Sequence, residues 1–523
     1  MPKKHLDLLQ ALLFMLATGL GCTKGTVAQP PMPVRAVSYS PTVPILKGLA
    51  ANPAFRVSVQ IPSGQSQQRY TKASCTVNPE AMGAIRKVDV YLTGAEPFSN
   101  TNPVASIQPT SAGFDIPLDL NLPNGLHFLW FSVVLRDDAG IDGRIEMRCH
   151  SLTEASGKKL AVTDDGTSHS KRLGAAIRKG GDDNVNTYRI PGLVTTDQGT
   201  LLAVYDIRYV NSRDLPGNID VGLSRSTDGG RTWSPMKIIM DMGPPHDNNG
   251  VGDPAILFDP MTKRVWVAAL WSKGNRSIAG SLPGLSPDTT GQYALVSSDD
   301  DGVTWTQPYT VTPQVKLPSW HLFFAGPGNG IAMQDGTLVF PSQYWDEKKV
   351  PHSTIIYSKD NGRSWTGKVY GPKYNTTESQ VVETTPGTLM LNMRDNRGSF
   401  RSVATTTDLG KNWTEHQTSY SALPDPVCMA SLIKAKVNLQ GATKDVLFFS
   451  NPATTSGRYN ISVKASLDMG QTWPATNHLL VDQRNCYGYS SLSRVDENTV
   501  GLLYEGEKDL YFVRIPVREI VKQ

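Results

Sequence analysis

The sequence predicts an all-β chain: a six-bladed β-propeller preceded by a small antiparallel β-sandwich. The first reason is a pattern, Ser/Thr-x-Asp-x-Gly-x-x-Trp, that occurs five times: STDGGRTW (226–233), SDDDGVTW (298–305), SKDNGRSW (358–365), TTDLGKNW (406–413) and SLDMGQTW (466–473). Each copy suits a hairpin tip, because Ser/Thr and Asp side chains bond the turn's own amides and Gly supplies a positive φ. The Trp is expected to pin the returning strand against a neighbouring sheet. The second reason is spacing. The Asp-to-Asp steps are 72, 60, 48 and 60 residues, about one four-stranded blade plus loops each. The third is what precedes each copy: VDVGLSRS, YALVSSD, STIIYSKD, SVATTTD and ISVKASLD, segments rich in β-branched residues that alternate apolar with polar. YGYSSLS, TVGLLYEG and LYFVRIPV add three strands near the C-terminus. A strand from about Lys171 to Ile177 would complete their blade and close the ring, leaving no open edge.

At 523 residues the chain exceeds one ordinary domain. Residues 1–22 combine a short basic start, an apolar run from about Leu8 to Leu16 and small residues up to Cys22. That is an export signal rather than a spanning helix. Cys22 after Gly21 suits either lipid anchoring of bacterial lipoprotein type or simple release, so the protein is expected to be periplasmic, outer-membrane-anchored or extracellular. Between 35 and 162, FRVSVQI, KVDVYLTG, FDIPLDL, HFLWFSVVL and RIEMRCHSL read as strands separated by Pro, Gly and Asn turns and lacking the repeat. This is the sandwich, either a carbohydrate-binding module or a spacer. Residues 163–171 are the expected linker and 172–523 the propeller. Cys75 and Cys149 fall within the sandwich and either bridge or stay as buried thiols. A net charge of +4, with 19% charged residues, argues against nucleic acid or a polybasic membrane partner.

A propeller hosts enzymes, lectins and docking platforms alike, so function must be read outside the repeats. TYRIPGL places Arg189 at the mouth of an early inner strand, LNMRDNRG carries Arg394 after an apolar strand, and NPATTSGRYN carries Arg458 before another. Three guanidiniums from three blades meeting on the axis would grip a carboxylate in fork geometry.

From about Lys171 to the C-terminus the sequence resembles the bacterial sialidases (exo-α-sialidases). That family has a six-bladed propeller, such repeats (Asp boxes), an Arg-Ile-Pro motif and an arginine triad for the sialic-acid carboxylate. By motif position the resemblance makes Arg189, Arg394 and Arg458 the triad; Arg397, Arg401 and Arg484 lie outside those motifs. It makes Asp214, 25 residues after Arg189, the acid/base, with Asp220 as the alternative already inside the outgoing strand. Arg208 resembles an arginine near that loop that contacts substrate. Glu378, in Glu-x-Gln-Val 16 residues before Arg394, matches the catalytic glutamate, whereas Glu383 is expected as a solvated side chain. Tyr489, just before Ser-Ser-Leu, matches the nucleophilic tyrosine, with Tyr487 two residues away on the same face. Asp253 in GVGDPAIL resembles a second pocket aspartate.

The resemblance implies a retaining exo-α-sialidase that acts on terminal sialic acid of glycoproteins, glycolipids and oligosaccharides, as a monomer and without metal or organic cofactor. A trans-sialidase and a non-catalytic sialic-acid-binding lectin are the alternatives. The chemistry is coherent, since a phenol avoids the repulsion a carboxylate nucleophile would meet at a carbon bearing a carboxylate.

Overall fold

A computed structural model of the chain describes residues 33–94, 97–98, 102–274 and 276–522. The export signal and Cys22 lie outside the described residues. Strands dominate, in a β-propeller arrangement. Five sheets of four or five strands follow one another along the chain from residue 187 to 482, antiparallel except where Val251–Phe258 pairs in parallel with Gly328–Asn329, together with a two-stranded sheet of Ser399–Phe400 and Pro424–Asp425. The first holds Thr187–Thr195, Leu201–Arg208, Ile219–Ser226 and Lys237–Met240. The second is built on Val251–Phe258, the third on Leu338–Trp345, the fourth on Thr376–Thr385 and the fifth on Ser431–Leu439. Ser490–Asp496, Thr499–Glu505 and Leu510–Pro516 then pair in order. The strand expected over 171–177 runs Ser170–Arg178 and pairs antiparallel with Leu510–Pro516, so the first strand of this region docks beside the last.

The repeated turns have a common wiring. In the first, Gly230 N–H donates to Ser226 Oγ (2.8 Å), the Ser226 hydroxyl to Asp228 Oδ1 (2.8 Å), and the Thr232 amide and hydroxyl to the two Asp228 oxygens (3.0 and 2.6 Å). The turns at Asp300, Asp360, Asp408 and Asp468 repeat it. The hydrogen bonds hold the Asp300 and Asp360 carboxyls down at about 2. Glycine is required twice over. Gly362 has φ +81°, and a Cβ there would lie 2.1 Å from the Trp266 ring of the second sheet. Trp365 of the same turn meets Trp266 edge to face at 5.9 Å, and Trp233 meets Phe512 at 5.1 Å.

The N-terminal strands form one curled sheet. Arg35–Tyr39, Pro53–Ile61, Gly125–Leu135 and Ile85–Leu92 pair in that order, and Lys159–Asp164 links Arg35–Tyr39 to Arg144–Glu154, Gln68–Val77 and Gly113–Leu122. Val57, Val59, Leu129 and Phe131 from one half share a core with Tyr70, Ala73, Ile116 and Met147 from the other. Gln68–Val77 escapes the sequence reading because its Gln, Arg, Lys and Ser residues mask the alternation of Tyr70, Ala73, Cys75 and Val77. Cys75 and Cys149 stand opposite each other across two strands as buried free thiols.

The expected linker is shorter than 163–171. Strand Lys159–Asp164 ends only six residues before Ser170–Arg178 begins. That second strand pairs with Arg144–Glu154 at its start, with Leu510–Pro516 further on, and with Ile45–Lys47 in parallel. A shared strand therefore couples the two regions, reinforced by Asp142, which bridges Arg231 and Arg514 at 2.6 Å each.

Candidate active site

The inner strands of the sheets carry a recurrent distortion at their first ends. Register shifts fall between Arg189 and Gly192 and between Gly252 and Ala255. Ile190 and Asp253, each followed by proline, take φ +59° and +56°, a conformation that costs a non-glycine residue roughly 1–3 kcal/mol. Such bulges re-aim side chains, here at the hub. A 260 Å³ cavity opens there, and Arg189, Asp214, Asp253, Glu378, Arg394, Arg458 and Tyr489 all line it. Arg208 lies behind, fully buried, donating to Asp206 (2.8 Å) and Asp214 (2.8 Å). A larger cavity of 530 Å³ opens at the far ends of the same strands, between Val194, Phe258, Lys434 and Arg494. It contains none of these residues, so the chemistry belongs to the smaller one.

Tyr489 sits at the centre. Its hydroxyl donates to Glu378 Oε1 in a short hydrogen bond and accepts from Arg394 Nη1 at 3.1 Å, while Arg394 Nη1 also donates to Glu378 Oε2 at 2.7 Å. The Arg189 and Arg458 guanidiniums stand 5.1 and 5.7 Å from the Tyr489 ring centre. Burial and then the Glu378 charge push the phenol well above its ordinary range, so it rests protonated. Gly488 explains how the strand enters so closely. Its φ is +96°, and a Cβ would strike Cys428 Sγ at 2.9 Å and Arg458 Cδ at 3.0 Å.

Asp214 faces the other wall. Burial raises its pKa, but Arg208 and Arg189 (3.4 Å) outweigh burial and hold the carboxyl below its usual value. Its side chain is 63% exposed, so water screens part of that pull. Asp253 is the opposite case: burial, then the Asp206 and Asp214 charges, hold it protonated well above the carboxylate range.

The remaining candidates lie elsewhere. Arg397 pairs with Asp395, Arg484 with Asp482, and Arg401 is buried against Asn392 and the Cys428 carbonyl. Asp220 is buried in the outgoing strand and accepts from Tyr209. The Tyr487 ring packs 4.9 Å from the Arg189 guanidinium. Glu383 corrects an expectation. Rather than being solvated it is 7% exposed, accepting from the Gln334 and Gly387 amides at 2.9 and 2.8 Å, so it caps two turns.

One important residue escapes the sequence reading. Glu505, fully buried, accepts from Arg189 Nε (3.0 Å) and Nη2 (3.4 Å), and from the Ile190 and Tyr489 amides (2.9 Å each). It ties the first arginine to the tyrosine strand. Its only trace in sequence is an acid at the end of the apolar run TVGLLYE. Phe324, Trp345 and Ile278, which supply an apolar wall, leave no trace at all.

Residues 190–504 match the family model described as a BNR repeat-like domain. The chain is 48% identical over 438 residues to a sialidase of Bacteroides fragilis, covering 80% of each chain. The chain belongs to the sialidase family. It is also 34% identical over 335 residues to a sialidase of Micromonospora viridifaciens, covering 62% of this chain and 50% of that one. Among solved structures, a Hadza microbial sialidase, Hz136, superposes with TM-score 0.85 at 39% identity, over 92% of this chain and all of the other. This sialidase is thus a glycoside hydrolase by descent, and its cavity is where hydrolysis must be sought.

Proposed function

We propose that this sialidase is a retaining exo-α-sialidase working through a covalent Tyr489 intermediate, on a six-bladed ring in which the four strands closing with Ser170–Arg178 form the last blade and the five repeated turns are Asp boxes. The single observation that carries the reading is the Tyr489–Glu378–Arg394 cluster inside a cavity that also holds Arg189 and Arg458. Three guanidiniums suit the sugar's carboxylate, each charge-assisted hydrogen bond contributing about 1.5–3 kcal/mol.

A phenol held protonated is a poor nucleophile until a base takes its proton. Glu378 accepts that proton as the Tyr489 oxygen bonds to the anomeric carbon. The glycosidic C–O bond breaks, and the leaving oxygen takes a proton from Asp214. Asp214 then removes a proton from water, whose oxygen bonds to the anomeric carbon. The Tyr489–carbon bond breaks, the phenolate recovers its proton from Glu378, and two inversions give net retention. Asp214 must start protonated, yet Arg208 and Arg189 hold its carboxyl below the usual value. A substrate carboxylate that engages Arg189 weakens that pull and returns Asp214 towards its ordinary pKa. Arg208 positions Asp214, and Asp253, protonated, offers a donor to the sugar's polar substituents. Terminal sialic acids of glycoproteins, glycolipids and oligosaccharides are the substrates.

The test is Tyr489→Phe against wild type on sialyllactose, with product anomer followed by NMR. Wild type should release the α anomer first. The variant should bind free sialic acid normally but turn over slower by roughly a thousandfold or more. Near-normal turnover, or initial release of the β anomer, rejects Tyr489 as nucleophile.

A further inference from the structure

Two arginines reach Asp214, and each is held from behind in the same way. Arg189 turns Nε and Nη2 to the buried Glu505 and Nη1 to Asp214 at 3.4 Å. Arg208 turns Nε (3.0 Å) and Nη2 (2.8 Å) to Asp206, and Nη1 to Asp214 at 2.8 Å and the Ser212 carbonyl at 2.7 Å. One edge of each guanidinium grips a buried carboxylate, and the remaining nitrogen reaches the exposed one.

Asp206 is buried and lies two residues before Arg208 on Leu201–Arg208, so the two side chains leave the strand on one face. Its Oδ2 accepts both Arg208 N–H groups, while its Oδ1 accepts from the amide of Asp253 at 2.8 Å, the residue held at φ +56° on the next sheet. Both oxygens thus face N–H donors, and a proton on either would point at a donor. That is the setting of a carboxylate ion. Gly252 leaves the space for it, because a Cβ there would lie 2.9 and 3.1 Å from the two Asp206 oxygens.

This carboxylate does two things to Arg208. It fixes the guanidinium plane, so that Nη1 points at Ser212 and Asp214 in the loop between Leu201–Arg208 and Ile219–Ser226. It also sets a negative charge against the cation nearest Asp214. The other charged groups around the two aspartates are Arg189 and Arg394, with the carboxyls of Asp253 and Glu378 on the same cavity. Without Asp206, Asp214 would be the only carboxylate hydrogen-bonded to Arg208, which would hold it more firmly in its ionised form.

We propose that Asp206 is a positioning residue for the acid step: it orients Arg208 and offsets its charge, so that Asp214 can carry the proton it gives to the leaving oxygen. The proposal rests on the reading of Asp214 as the acid.

The experiment uses the full-length chain and two substrates. The lactose oxygen of sialyllactose needs a proton to leave, whereas the fluoride of an α-sialosyl fluoride leaves without one, and kcat/KM covers the steps up to that departure. Asp206→Asn should move the alkaline limb of the sialyllactose profile about one unit towards acid, the low end for a carboxyl beside an arginine because Asp214 is partly screened. One unit is tenfold in protonated fraction, so kcat/KM for sialyllactose at pH 7 should fall about tenfold relative to that for the fluoride. Gly252→Ala, which crowds the same carboxylate, should lower that ratio in the same direction, and it decides the matter should Asp206→Asn fail to fold. In an Arg208→Met background Asp206→Asn should leave the ratio where it was. An equal slowing of both substrates with an unmoved alkaline limb, or an effect that persists without Arg208, overturns the proposal. Asp214→Ala separates the two readings. If it slows both substrates alike, Asp214 is not the acid; if it lowers the ratio and Asp206→Asn does not, only the role of Asp206 falls.

Discussion

Replacing Glu505 by Gln tests how the site is held together. The carboxylate is fully buried and accepts four hydrogen bonds, two from Arg189 and one each from the Ile190 and Tyr489 amides. Glutamine keeps the shape but offers one acceptor oxygen, and its NH2 would face N–H groups. At least one buried donor is left unsatisfied, costing about 1–3 kcal/mol, and the charge-assisted bond to Arg189 loses about 1.5–3 kcal/mol. The sum, about 2.5–6 kcal/mol, brackets the roughly 3–5 kcal/mol that breaking a buried ion pair ordinarily costs. Thermal unfolding should register it as a clear fall in Tm. Stability alone would not distinguish a scaffold residue from one that positions Arg189, so the decisive assay is steady-state kinetics on sialyllactose. With Arg189 no longer held, one carboxylate contact weakens and KM should rise about 10- to 100-fold. The Glu378 and Tyr489 side chains keep their own hydrogen bond, so kcat should change less than KM even though the Tyr489 amide shares in the lost acceptor. A lowered Tm with unchanged KM would refute the reasoning, because Glu505 would then support the fold without orienting the guanidinium.

Arg458→Ala should lower calorimetric affinity for free sialic acid by about tenfold or more while leaving Tm near wild type; unchanged affinity would remove Arg458 from the triad. Asp220→Asn has a pH signature. Burial, then Asp241, raises the Asp220 carboxyl to about 6, and a raised folded pKa means its stabilising share is present below the unfolded value and lost as pH rises through about 6. The variant should therefore gain up to about 2–3 kcal/mol over wild type at pH 8 and little at pH 4, and a pH-independent difference would contradict this. The turn aspartates behave oppositely. Asp300 and Asp360 are depressed to about 2, so their contribution is present above about pH 4 and lost towards pH 2, and Asp300→Ala should lower Tm at pH 7 but converge with wild type in acid.

Local chemistry was written into the chain and legible there. Each repeated turn is specified within eight residues, since Ser/Thr, Asp and Gly satisfy one another without help from distant chain. Arg189, Arg394, Arg458, Asp214, Glu378 and Tyr489 were legible for a different reason: each stands in a short motif that resembles the family's, and all six line one cavity. What lies 300 residues apart was not. Glu505 looks like any acid closing a strand, and only the ring brings it against Arg189. Glu383 looks solvated until the Gln334 turn folds over it. The strand content of 163–171 depended on partners from two other segments, Arg35–Tyr39 and Arg144–Glu154. Sequence alone determined the turns, the strand periodicity and the chemistry on offer, because those obey contacts between near neighbours. Tertiary structure alone decided which charges meet, because pairing across sheets is set by closure of the ring and by burial, and neither is a property of any short stretch of chain.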